Sequence, residues 1–109
     1  MFELVFSAKI NKDILLSINY IKDMLKAARA AENHAAELKK QYNKLKENPL
    51  IRPLVRNKYL AAKGLRFIKV KNYILIYKVD EKAKKVFLYR FMYGRRDWLN
   101  ILTNELSRE

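Results

Sequence analysis

The residues of this chain with chemistry to offer are basic and aromatic, and they gather in its second half. Arg66, Lys69, Lys71, Lys78, Tyr89, Arg90, Tyr93, Arg95 and Arg96 all fall between positions 66 and 96. Arg pairs bidentately with phosphate, and Tyr stacks on a base or donates a hydrogen bond. Such a set suits RNA, DNA or an acidic peptide. The same residue types also describe a packed sheet with a solvated rim, so the pattern alone leaves both readings open.

Other chemistries find little here. Without Cys there is no disulfide framework and no thiolate metal site. The single histidine, His34, excludes a His-pair zinc site and leaves no ordinary Ser/His triad. Eleven acidic residues are scattered and form no obvious pair, so neither a metal nor a cofactor is expected. Gly64 and Gly94 are isolated and make no phosphate-cradling loop. His34 lies among alanines and acids, on the side that helical phase assigns to solvent, and reads as a surface residue. Trp98 falls on the apolar side of a C-terminal helix and reads as a core anchor.

The net charge of +13 is unevenly spread. Residues 1–51 carry nine Lys/Arg against six Asp/Glu, residues 52–96 fourteen against two, and residues 97–109 one against three. A field this segregated attracts nucleic acid or an acidic protein segment. Apolar runs are too short to span a membrane. The start, Met1-Phe2-Glu3-Leu4, lacks the pattern of a signal peptide. A cytoplasmic protein with no membrane partner is expected.

The elements that must position these residues form one domain of 109 residues. Phe2–Phe6 alternates as a short strand. Asn11 is a candidate cap for a helix whose face carries Ile10, Ile14, Ile18, Ile21 and Leu25. A second stripe, Ala31, Ala35, Leu38, Tyr42 and Leu45, follows nearly in phase. The pattern permits one long helix or a hairpin, and the rarity of 35-residue helices favours a break near Ala27–Ala31. Asn48-Pro49 ends the helix, and Pro53 keeps the next stretch irregular. Three strand-like runs follow Gly64: Leu65–Lys71, Tyr73–Val79 and Val86–Tyr93. Their short connections predict an antiparallel meander. Asp97 is placed to cap a final helix with Trp98, Ile101, Leu102 and Leu106 on one side. The expected fold is α+β, in the order β-α-α-β-β-β-α, with a two-helix hairpin packed on an antiparallel sheet whose other face carries many of the basic residues.

Several stretches then resemble a known family. Lys63-Gly64-Leu65-Arg66 precedes Val70-Lys71-Asn72-Tyr73-Ile74-Leu75-Ile76-Tyr77 and Val79-Asp80. The strand Val86–Met92 runs into Tyr93-Gly94-Arg95-Arg96-Asp97-Trp98. Ala8, Asp13, Ile14, Tyr20-Ile21, Leu25 and Asn48-Pro49 fit at the N-terminal side. Order and spacing together resemble the RelE/ParE superfamily, the toxins of type II toxin–antitoxin modules. The resemblance implies a small basic toxin neutralised by a cognate antitoxin, which reaches operator DNA only through that antitoxin. It also implies one of two targets: mRNA cut on the ribosome, for RelE-like members, or DNA gyrase, poisoned without nuclease chemistry, for ParE-like members.

On the RelE-like pattern, Lys69, Tyr93 and Arg96 would carry metal-independent RNA cleavage, stabilising the charged phosphate in the transition state. That pattern has Arg where Ile74 follows Tyr73, and a Tyr or His in the C-terminal helix where none follows Trp98. The Tyr93-Gly94-Arg95-Arg96-Asp97 stretch and the two long helices resemble the ParE-like branch more. The expected function is therefore a gyrase-poisoning, non-enzymatic toxin, with a ribosome-dependent mRNA endonuclease as the alternative and a non-toxic nucleic-acid-binding module as a third class. On any of these readings the residues that meet the target or nucleic acid are Arg66, Lys69, Lys71, Arg90, Tyr93, Arg95 and Arg96.

Overall fold

The structure, a computed structural model, describes residues 1–107. Its elements are β1 (Glu3–Phe6), α1 (Ala8–Asn19) running into a π-helical turn (Tyr20–Met24), α2 (Ala28–Glu47), α3 (Lys58–Ala62), β2 (Leu65–Val70), β3 (Tyr73–Asp80), β4 (Lys85–Tyr93) and α4 (Trp98–Ser107). The strands form one sheet in the order β1-β4-β3-β2. β2, β3 and β4 make the expected antiparallel meander, but β1 pairs parallel with β4. That edge is reached by crossing over the helical hairpin and two strands, which no local pattern reports.

The hairpin forms because the chain breaks at Leu25–Ala27. The N–H of Ala27 returns to the Ile21 carbonyl, and Lys26 takes a left-handed conformation at φ 52°. The break falls just before the expected stretch. The cap of α1 is Ser7, not Asn11: its Oγ accepts the Ile10 N–H at 3.0 Å and donates to the Tyr89 carbonyl at 2.7 Å. β1 ends at Phe6, so Ser7 is the first extended residue with a side-chain oxygen in reach. α2 ends at Glu47, as Asn48-Pro49 requires.

Helices cover both faces of the sheet. On one side Ile10 of α1 and Leu38 and Leu45 of α2 pack against Ile68, Val70, Leu75, Tyr77, Val86, Leu88 and Phe91. On the other, Val55, Leu60 of α3 and Leu102 of α4 pack with Leu65, Ile76 and Met92. The expectation of a bare basic face is therefore corrected. Apolar residues occur on both sides of the strands because both sides are roofed. α3 was not expected. Asn57 starts it, its side chain accepting the Leu60 N–H at 3.1 Å, and Gly64 stops it at φ +81°. Trp98 packs in this second core, its ring 6.3 Å from that of Phe67. Asp97 precedes α4, where its carboxylate accepts from the Asn100 side chain at 2.6 Å.

Among the described residues, no helix is long and apolar enough to cross a membrane, and no cluster of three or more His, Cys, Asp or Glu side chains could hold a metal.

Candidate functional site

The ends of β3 and β4 nearest the Lys71-Asn72 turn, together with α1, the π turn and α2, enclose a cleft of about 690 Å³. Its lining is mostly aromatic and apolar, with Tyr20, His34, Tyr73, Phe91 and Tyr93 among the rings, and Lys71 and Arg96 supplying cations.

Sheet geometry explains why the strand residues meet. Tyr73 and Tyr93 are direct partners across β3 and β4, with rings 5.6 Å apart and edge-on. Phe91 points to the same face two residues earlier. It stacks on Tyr73 at 4.9 Å with only 9° between the planes. Gly94 extends the ladder, donating its N–H to the Asn72 carbonyl at 2.7 Å. A Cβ at Gly94 would stand 3.2 Å from that oxygen, so glycine permits this close approach. Burial, then the neighbouring phenols of Tyr20 and Tyr93, push the Tyr73 hydroxyl above its ordinary pKa.

His34 is the main correction to the sequence reading. It is 2% exposed, not a surface residue. The buried residues of α2 are Ala31, His34, Leu38, Gln41 and Leu45. Their alternating spacing of three and four runs through His34, while Ala35, assigned to the stripe from sequence, is exposed. Ser17 Oγ donates to the Ile14 carbonyl at 2.7 Å and lies 3.0 Å from His34 Nε2. Which of Ser17 Oγ and His34 Nε2 donates follows the tautomer of the imidazole. Burial, then the Lys71 ammonium, lower the pKa of His34 and favour the neutral ring.

The basic residues singled out from sequence fall into different places. Lys71, Tyr93 and Arg96 line the cleft. Lys71 holds φ 55° in a tight turn, a costly conformation for a residue with a Cβ. Arg95 is exposed beside Arg96 in the turn before α4. Lys69 is exposed on β2, following Leu65 and Phe67 on the face roofed by α4, outside the cleft. Arg66 braces a loop, its Nη1 donating to the Arg52 and Leu50 carbonyls.

Arg90 is no free phosphate ligand. Nε and Nη2 donate to Asp13 at 2.7 and 3.0 Å, and Nη1 donates to both Glu105 oxygens at 2.7 and 2.8 Å. The hydrogen bond to Asp13 is the largest influence raising its pKa, outweighing burial. A sequence reading sees only that Arg90 is basic. It does not see two carboxylates arriving from α1 and α4.

The comparisons fit this architecture. A family model described as the ParE toxin of type II toxin–antitoxin system, parDE, matches residues 4–98. This chain belongs to the ParE toxin family. Among solved structures, the toxin resembles a chain of the chromosomal ParDE system from P. aeruginosa, with a TM-score of 0.67 and 14% identity over 85% of this chain and 96% of that one. It also resembles a chain of the intact E. coli RelBE toxin–antitoxin complex, with a TM-score of 0.58 and 19% identity over 88% and 100%. The isolated E. coli RelE toxin aligns with a TM-score of 0.58 and 18% identity over 99% and 98%. At these identities the likeness concerns the fold. No curated protein matches the sequence significantly. Tyr20, His34, Tyr73 and Phe91 are the cleft residues that sequence reading did not single out for function. A three-four stripe on α2 drawn through His34 and Gln41 instead of Ala35 and Tyr42 is the signal that could have found His34.

Proposed function

We propose that this ParE-family toxin arrests growth by poisoning DNA gyrase, without nuclease chemistry, and is held inactive by a cognate antitoxin through which alone it reaches operator DNA. One observation carries the choice of target. The three residues a nuclease of this superfamily would call on are dispersed, with Lys69 on the α4 side of the sheet and Tyr93 and Arg96 in the cleft on the hairpin side. The withdrawal of Arg90 into ion pairs further thins the supply of free phosphate ligands. The strongly basic segment 52–96 suits an antitoxin of acidic character. The test is a controlled-expression pulse with DNA and protein synthesis followed separately. DNA synthesis failing first, with inhibited supercoiling by purified gyrase, is the expected result. Intact supercoiling at high toxin excess overturns the reading.

A second reading, ribosome-dependent mRNA cleavage, draws on one fact: Tyr93 and Arg96 share the cleft with Lys71 and a buried histidine. It predicts early collapse of protein synthesis and codon-positioned cuts that vanish with Arg96→Ala.

A further inference from the structure

The cleft under the hairpin has features that packing alone does not require. Tyr20 and Tyr93 leave 49% and 37% of their surface exposed in a lining that also holds the stacked Tyr73 and Phe91. Tyr20 opens a π-helical turn, an irregularity often found where a helix is shaped for function. Lys71 bears its ammonium at the rim on a backbone held at positive φ, strain of a kind that gathers at binding sites. Arg96 supplies a second cation from the other side of the Asn72–Gly94 junction. Among the described residues Asp13 is the one acid in the lining, and its carboxylate is occupied by Arg90 and the Phe91 N–H. A cavity of this size lies within the roughly 300–1,000 Å³ usual for small-ligand sites.

Open rings beside two cations with no ion-pair partner among the described residues select a ligand that is planar at one end and anionic at the other. We infer that the cleft binds a nucleotide, its base stacked against Tyr20 and Tyr93 and its phosphate held by Lys71 and Arg96. Stacking tolerates any base, since every base has a π face. The nucleotide is either a free mononucleotide or the 5′-phosphorylated end of a single strand. Apolar Leu16 and Leu25 extend the lining, but the paired cations favour an anionic aromatic ligand over a protein segment. The inference does not rest on the gyrase reading, because binding is measured on the isolated chain and either can fail alone.

The experiment is calorimetric titration of the full chain with AMP, adenosine, ribose 5-phosphate and a 5′-phosphorylated tetranucleotide. AMP is expected to bind at least about tenfold more tightly than adenosine or ribose 5-phosphate, since each lacks one half of the recognition. Lys71→Gly removes the cation while relieving the positive φ, so it keeps the fold. Lys71→Gly, Arg96→Gln and Tyr93→Leu should each weaken AMP about tenfold while keeping a cooperative melting transition, whereas Lys78→Gln, outside the cleft, should not weaken it. A tetranucleotide that binds more tightly than AMP and loses affinity with Lys71→Gly identifies a strand end as the ligand. Equal or weaker binding identifies the free nucleotide. AMP affinity unaltered by the three cleft variants, or lowered equally by Lys78→Gln, overturns the inference. So does an acidic peptide that fills the cleft where AMP does not bind.

Discussion

Asp13 on α1 and Arg90 on β4, 77 positions apart, form a two-pronged ion pair, and the same carboxylate accepts the Phe91 N–H at 3.0 Å. Glu105 of α4 takes the remaining side of the guanidinium. β1 stops pairing at Leu88, so the β4 edge beyond it has no neighbouring strand. Arg90 and Asp13 replace that strand, tying the hairpin, the sheet and the C-terminal helix at one point.

Removing one partner leaves the other charge stranded where only 13% and 11% of the side-chain surfaces reach solvent. Asp13→Ala should therefore cost about 3–5 kcal/mol in chemical denaturation. Lys9, 63% exposed, also pairs with Glu105. Lys9→Ala should cost under about 1 kcal/mol. Equal effects would show that the Arg90 junction is not the tie point.

Acid should destabilise the fold through His34. Its folded pKa lies below the ordinary 6.5 because of burial and Lys71, so the unfolded chain binds the extra proton first. Stability is fully present above that ordinary value and declines as pH falls through it toward the folded pKa. His34 is the chain's sole histidine, so His34→Gln should flatten the dependence of melting temperature on pH in this window. Glu105 acts lower: burial raises its pKa, but hydrogen bonds from Lys9 and Arg90 outweigh this and hold it below 4.5. Its contribution is present above that value and disappears as pH drops through the folded pKa. A melting temperature unaltered between neutral pH and the low sixes would remove the histidine assignment.

Gly94→Ala would press a methyl group toward the Asn72 carbonyl at 3.2 Å. A cost of about 1–2 kcal/mol is expected, together with displaced amide resonances at Lys71, Asn72 and Arg96. Gly64→Ala should cost a similar amount for a different reason, its φ of +81°. It should leave the cleft resonances in place.

Growth arrest offers the functional counterpart. If Arg95 and Arg96 meet gyrase, Arg95→Ala/Arg96→Ala should relieve arrest by about tenfold or more in colony counts, as loss of two charged contacts implies. Lys69→Ala should then change little. Relief by Lys69→Ala as large as that by the Arg95/Arg96 pair would favour mRNA cleavage.

The amino-acid sequence by itself determined the four strands, the two hairpin helices and the C-terminal helix, though not α3, together with the break before α2, the stops at Pro49 and Gly94, and the placement of Trp98 in a core. Those follow from periodicity and from local backbone chemistry, which act over a few residues. The resemblance to RelE/ParE toxins was legible for the same reason, as it rests on motifs in linear order. The parallel β1–β4 pairing, the roof over the second sheet face and the gathering of Tyr20 and Tyr93 in one cleft were decided by tertiary structure, because each joins residues far apart in the chain. Arg90 shows the limit most plainly. Its type says phosphate ligand, and only the arrival of Asp13 and Glu105 makes it a structural cation. His34 shows the converse: its sequence neighbours Asn33 and Ala35 are exposed, but a phase set by Leu38 and Leu45 turns it inward. A side chain's chemistry is written in its type, but whether that chemistry is free to act depends on the partners that folding brings to it.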